Sequence, residues 1–277
     1  MLLQYAKLSG KNFYKMNLVF SKYHGTGNDF ILIDNRSQKI ILSKEQISLL
    51  CHRQFGIGAD GLIMISDLPG FDFRMNYYNS DGGEGTMCGN GGRCITAYAG
   101  TRGVFNRKAK FSAIDGMHQA EILSVDGNQF HVSLRMSDLD KIIKFEDGYF
   151  LNTGSPHFVS FVNNIEEVNV YEEGKRLRWD QRFQPGGTNV NFVELKENHI
   201  IVRSFERGVE NITLSCGTGV TASALVASTI VGKDKSAFEI HTYGGNLKVR
   251  FERIGDEFKN IWLEGPAIKV YEGHVEI

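Results

Sequence analysis

Two short stretches of this chain set a cysteine in the same glycine frame: Cys88-Gly89-Asn90-Gly91 and Cys216-Gly217-Thr218-Gly219. Each precedes an Ala-rich segment that reads as a helix, Ile95 to Ala99 in one case and Val220 to Ile230 in the other. Cysteine at a helix N-terminus is a candidate thiolate, because free N–H groups and the helix dipole favour negative charge there. The glycines let those amides approach a ligand closely, and the same amides make an anion site suited to a carboxylate. If the two ends converge, one carboxylate can be held between two thiols. One sulfur then takes a proton from the carbon beside the carboxylate while the other returns a proton from the opposite face. General acid–base catalysis needs groups that titrate near working pH, and a thiol at about 8.5, lowered by a helix end, qualifies. The product has the mirror configuration at that carbon, and the chemistry asks for no cofactor and no metal. The remaining cysteines read differently: Cys51, in Leu49-Leu50-Cys51-His52, is a small core hydrophobe. Cys94 lies about 240° around the helix from Cys88 and faces packing.

The elements that must position these thiols form a repeat. The two C-G-x-G frames are 128 residues apart, and the same offset pairs Phe30 with Phe158, Phe55 with Phe183 and Gly58 with Gly186. It continues through Gly116 with Gly244, Gly127 with Gly255 and Phe130 with Phe258. Shared glycines imply shared turns, since glycine fixes backbone geometry. Phe30 to Ile33, Leu62 to Ile65 and Phe73 to Tyr77 read as strands, matched by Phe158 to Val162, Val190 to Val193 and Ile200 to Phe205. Further strands are expected at Ala120 to Val125 and Leu247 to Phe251, and a helix at Glu45 to Gln54. One main helix per copy among many strands is an α+β pattern rather than an alternating one. The expected layout is a short extension over 1–15, a first half over 16–136 with Cys88, and a second over 137–264 with Cys216. A tail over 265–277 can pack back on the first half. The site belongs in the cleft between the halves.

Composition narrows the rest. Lys plus Arg total 31 against 32 for Asp plus Glu, a balance without the basic excess of a nucleic-acid surface. The longest apolar run, Ala222 to Val231, is far short of the ~20 residues a spanning helix needs. Four cysteines in 277 residues are too few for a disulfide scaffold, so reduced thiols in a cytoplasmic protein are expected. Gly56-x-Gly58-x-x-Gly61 has the glycines of a dinucleotide fingerprint, but a predicted helix precedes it and a strand follows, the reverse of what that motif requires. Cys88, Cys94, His24, His52 and His157 do not make zinc spacing, and no hydrolase or P-loop signature is present.

The motifs together resemble the diaminopimelate epimerase family. They are His24-Gly25-Thr26-Gly27-Asn28-Asp29-Phe30, Gly56-Ile57-Gly58-Ala59-Asp60-Gly61, Asn79-Ser80-Asp81-Gly82-Gly83-Glu84 and Met87 to Cys94. In the second half they are Gly154-Ser155-Pro156-His157, Asn189-Val190-Asn191-Phe192, Glu206-Arg207-Gly208 and Ser215-Cys216-Gly217-Thr218-Gly219. The resemblance runs from Met16 to about Gly265. It implies a cofactor-independent epimerase interconverting LL- and meso-2,6-diaminoheptanedioate, for lysine and peptidoglycan precursors. It also implies two pseudo-symmetric halves, each a curled mixed sheet around a central helix, and a homodimer. Cys88 and Cys216 are then the acid/base pair. Gly89 with Asn90 and Gly217 with Thr218 donate backbone N–H groups to the carboxylate at the reacting carbon. Arg207 takes the distal carboxylate, Glu206, Asn28, Asn79 and Asn189 supply acceptors and orientation, and His157 and Glu206 tune the thiols.

Three positions depart from the family pattern: Ser155 replaces a frequent Asn, Gly61 a Gln found in some members, and Gly83 the usual Ser of D-G-S. A related two-cysteine racemase acting on proline or hydroxyproline is the alternative within enzymes, although a cyclic imino acid has no distal amino-acid end to require Arg207 and the asparagines. A redox protein built on a Cys88–Cys216 disulfide is the alternative from another class, against which stands the absence of C-x-x-C spacing.

Overall fold

The protein is described by a computed structural model covering residues 16–232 and 235–277. The expected extension over 1–15 lies outside the described residues. In the first half, β1 (Asn17–Gly25) pairs antiparallel with β2 (Asn28–Asp34), and β2 runs parallel to β3 (Gly61–Ser66) through helix α1 (Lys44–Cys51). Strand β3 turns back into β4 (Phe73–Asn79), which runs parallel to β5 (Lys108–Ala113) through helix α2 (Gly89–Thr101). Strands β6 (Gly116–Asp126) and β7 (Gln129–Arg135) complete a meander.

The second half repeats the order. After a short β8 (Ile143–Lys144), β9 (Tyr149–Asn152) pairs with β10 (Pro156–Phe161), which runs parallel to β11 (Asn189–Leu195) through helix α3 (Val170–Arg178). Strand β12 (Ile200–Glu206) pairs with the short β13 (Asn211–Thr213) and runs parallel to β14 (Ala237–Thr242) through helix α4 (Gly217–Val231). Strands β15 (Gly245–Ile254) and β16 (Glu257–Glu276) close the series. Helices α2 and α4 begin at the 128-residue offset, but the repeat slips by one in the following hairpin. Gly116 opens β6 as Gly245, not Gly244, opens β15, and both hold positive φ, +125° and +134°. From helix start to the next strand the second half carries one more residue, and β15 is one residue shorter than β6, so Gly127 and Gly255 fall back into step.

The expectation of a curled sheet in each half needs one refinement, because the strands form a single 16-stranded sheet. Strand β16 is 20 residues long and serves both halves. Its first part pairs with β15, Gly265 to Ile268 pair with β7, and Ile268 to Glu276 pair with β1, closing the first half's strands into a ring around α2. The chain after β7 crosses the other way, with the Met136 amide donating to the Ile261 carbonyl (2.9 Å) and Leu139 bridging Phe258. Each half thus borrows an edge from the other, which leaves fewer open strand edges.

Helix α4 is apolar on nearly every side and α2 is buried from Gly89 to Ala99, so both must be enclosed. Their enclosing strands are also covered outside: Ile47, Leu50 and Cys51 of α1 pack on Ile31, Ile33, Leu62 and Met64. Val170 and Leu177 of α3 pack on Val190, Phe192 and Phe205. Burial on both faces explains the apolar runs Phe30 to Ile33 in β2 and Leu62 to Ile65 in β3. No helix among the described residues is long and apolar enough to cross a membrane.

Candidate active site

Cys88 and Cys216 are the N-cap residues of α2 and α4, both in extended backbone. The helices meet end to end at equivalent glycines. A Cβ added to Gly217 would lie 3.2 Å from Gly89 Cα, and one added to Gly89 would lie 3.4 Å from Gly217 Cα. Any side chain at either position would wedge the ends apart, so glycine here is what lets the two thiols share one cleft. The amides of Gly89, Asn90, Gly217 and Thr218 take no backbone acceptor among the described residues, because the first intrahelical bonds are those of Gly92 and Val220 to the two cysteine carbonyls. Amides left without a backbone acceptor at a helix N-terminus are suited to an anion. A side-chain bridge crosses the cleft floor, where Asn90 Nδ2 donates to the Ser215 carbonyl at 3.0 Å.

The thiols have different surroundings. Cys88 is half-buried, and its Sγ lies 3.5 Å from Asn28 Oδ1. Burial raises its pKa above the ordinary thiol value; the Gly91 and Asn90 amides and the Arg93 charge pull it back, while Glu206 pushes it up. Cys216 is buried, with Sγ 3.5 Å from Thr218 Oγ1. Burial raises it well above the ordinary value and Glu206 adds to the rise, against hydrogen bonds from Thr218 and the Gly219 amide. Burial also raises the Glu206 carboxyl, which accepts from Thr213 Oγ1.

His157 is fully buried, and its pKa is lowered to about 3 by burial, with Arg207 adding to the drop, so its ring is neutral. Asn191 Nδ2 donates to Nδ1 at 3.0 Å and to the Phe158 carbonyl, which leaves Nε2 to carry the proton. Nε2 lies 2.9 Å from both Ser155 Oγ and Thr218 Oγ1. The hydrogen-bond path from His157 therefore leads through Thr218 to Cys216.

The other residues singled out by motif fall into two groups. Asn28 is held by Asp60, whose carboxylate accepts from Nδ2 at 2.7 Å, so that the amide oxygen faces Cys88. Asn79 is exposed at the end of β4, its side chain unbonded among the described residues. Arg207 is exposed and forms no ion pair among the described residues, leaving its guanidinium for an incoming carboxylate. Asn189 and Ser155 are engaged inside the protein. Asn189 donates to Ser155 Oγ and the Pro156 carbonyl and accepts from the Arg207 amide at 2.9 Å, so it fixes the backbone that carries Arg207. Gly61 has no room for a side chain, since a Cβ would lie 2.6 Å from the Tyr77 ring. Gly83 donates its amide to Asp81 Oδ1.

Asp60, Arg93, Asn191, Thr213 and Tyr77 did not stand out in the sequence as site residues. Asp60, Arg93 and Asn191 each had a cue, a place inside a quoted motif; Thr213 and Tyr77 had none and are brought in by strand pairing. No group of three or more His, Cys, Asp or Glu among the described residues is placed to hold a metal ion.

Comparison with known proteins gives a coherent result. A family model described as diaminopimelate epimerase matches residues 20–139 and 149–270. Diaminopimelate epimerase of Flavobacterium psychrophilum is 44% identical over 255 residues, covering 91% of this chain and 97% of that protein. Its counterpart from Chlorobaculum tepidum is 41% identical, covering 91% and 99%. Among solved structures, a PhzF-family phenazine biosynthesis protein from Bacillus anthracis superposes with a TM-score of 0.74 at 16% identity, over 95% of this chain and all of that one, and shares the fold.

Proposed function

The chain belongs to the diaminopimelate epimerase family, and we propose that it interconverts LL- and meso-2,6-diaminoheptanedioate by proton transfer between two thiols. The observation that carries this reading is the meeting of Cys88 and Cys216 at paired helix N-termini, with Arg207 free at the rim. The substrate carboxylate at the reacting carbon lies against the free amides of Gly89, Asn90, Gly217 and Thr218, which stabilise the charge that builds up as the α-proton leaves. One cysteine, as thiolate, removes that proton and becomes a thiol. The other, as thiol, delivers its proton to the opposite face and becomes a thiolate. Bonds and charge balance, and every moving proton is on sulfur or carbon. Arg207 holds the distal carboxylate, and Glu206 with Asn28 and Asn79 takes the substrate's amino groups. Asn189 acts by holding Arg207, and Ser155 belongs to the His157–Thr218 network. The setting we propose is cytoplasmic, in keeping with four free cysteines, and the unit a homodimer, by family resemblance.

Incubation with LL-diaminopimelate in deuterated water, without pyridoxal phosphate, tests the reading. It should yield the meso isomer with deuterium at one α-carbon. Isomerisation without deuterium uptake, or no isomerisation by folded and reduced protein, sinks it.

A further inference from the structure

The repeat places Arg93 in α2 where Thr221 stands in α4, and the two side chains differ in charge. Arg93 is completely buried. Its Nη2 donates to Asn90 Oδ1 (2.9 Å) and Thr26 Oγ1 (3.3 Å), its Nε to the Pro266 carbonyl (3.3 Å) and its Nη1 to the Gly89 carbonyl (3.5 Å). Space for it is made by two glycines: a Cβ on Gly25 would lie 3.2 Å from Nη2, and one on Gly265 3.4 Å from Nε. Every hydrogen-bond partner is neutral, and among the described residues the ionisable groups acting on the guanidinium are the thiols of Cys94 and Cys88. Cys94 is buried and pushed far up, so it stays a thiol.

A buried cation without a counter-ion is costly, and this one sits at the positive end of a helix, where the dipole adds to the cost. An anion at the mouth of α2 removes both penalties. In α4 the corresponding Thr221 Oγ1 donates to the Gly217 carbonyl and brings no charge. Facing Cys88 are Glu206 from β12, Tyr77 from β4, Cys216 from α4 and Cys94 on its own helix; Arg93 is the cation of that set. Facing Cys216 are the carboxyl of Glu206 and the thiol of Cys88, with no cation acting on it among the described residues.

We propose that Arg93 is a positioning residue for charge: it is the buried counter-ion of a Cys88 thiolate, so when the free protein gives up its first thiol proton the negative charge forms on Cys88 while Cys216 keeps its proton. The proposal rests on the two-thiol reading above. It makes the two halves unequal before substrate arrives, although the reaction uses them alike.

The test is alkylation of the full-length protein by iodoacetamide across pH, without substrate, with Cys88 and Cys216 followed separately by peptide mass spectrometry. Midpoints rather than rates are compared, since Cys88 is the more exposed. The Cys88 midpoint should lie below that of Cys216 by at least about one pH unit. Arg93→Met should raise the Cys88 midpoint by at least about one unit and leave that of Cys216 nearly unchanged, and Arg93→Lys should restore much of the difference. The idea is overturned if Cys216 has the lower midpoint, or if folded Arg93→Met titrates like the parent. Where Arg93→Met does not fold, by circular dichroism, the order of midpoints in the unaltered protein decides. No turnover is measured, so failure here leaves the epimerase reading standing, and failure of deuterium uptake leaves the midpoints valid.

Discussion

The two halves share a scaffold and divide the work. Both place a cysteine at the N-cap of an enclosed helix, and both depend on a glycine at the next position to bring those helix ends together. Charge is distributed otherwise. The end of β4 offers Tyr77, Tyr78 and Asn79, whereas the end of β12 leads into Glu206 and Arg207. The Cys88 side is braced by an ionic cluster, with Arg53 bridging Asp29 and Asp60 at 2.8 and 2.6 Å. The Cys216 side is braced by a neutral network through Ser155, His157 and Asn191. A duplicated fold can thus supply the same reacting group twice while letting recognition drift to one copy.

The strongest test of equality is removal of either thiol. Cys88→Ala and Cys216→Ala should each lower kcat/KM for isomerisation by roughly 10³-fold or more, since each removes a general acid or base. Near-normal turnover in either variant would break the pairing. Division of recognition is tested next. Arg207→Ala should lower kcat/KM by roughly 10²-fold, mainly through KM, as expected for loss of a charged contact to carboxylate. Asn79→Ala should cost about tenfold at most, the scale of one neutral hydrogen bond. Equal losses would mean that the first half recognises substrate as much as the second.

A smaller effect is expected at the neutral brace. Thr218→Val removes the hydroxyl between His157 and Cys216 and should lower kcat by about tenfold with little change in KM. Unchanged kcat would detach His157 from the chemistry. The pH profile is the finest probe. Burial raises both thiols, so the thiolate fraction at neutral pH is small and kcat/KM should rise with pH from 7 toward 9, before the acid thiol is lost. His157, at about 3, contributes no limb near neutrality. A limb near pH 6.5 that vanishes in His157→Gln would contradict its neutral state.

Much of this was legible in the sequence, for reasons that differ from residue to residue. Cys88 and Cys216 were marked by a glycine frame repeated at a fixed offset, and the enclosing strands by apolar runs that only double-sided burial sustains. The motif residues Asn28, Glu206 and Arg207 were found by resemblance. Asp60 holds Asn28 because β2 and β3 lie parallel and neighbouring, with Phe30 opposite Gly61, a register that no local spacing encodes. Tyr77 fills the space at Gly61 for the same reason, across the β3–β4 pairing. Asn189 was likewise named by resemblance; in the structure its amide bonds Ser155, the Pro156 carbonyl and the Arg207 amide, partners that strand pairing supplies. The one-residue slip at Gly116 and Gly245 escaped because a glycine pair follows Tyr243, and its first member meets the 128-residue offset while the second is the structural equivalent.

The shared strand β16 bears on how the chain is made. Ser21 of β1 bonds Glu272 of β16 at 2.9 Å, across 251 residues of sequence. The ring around α2 therefore stays open on the ribosome until residues far downstream emerge, whereas pairings such as β3 with β4 can form early. At synthesis speeds of about 5–20 residues per second, the first half waits for many seconds with a β1 edge that a chaperone or a neighbouring nascent chain can bind. Helix α2 is enclosed among the last, so Cys88 belongs to the half that is translated first and closed late.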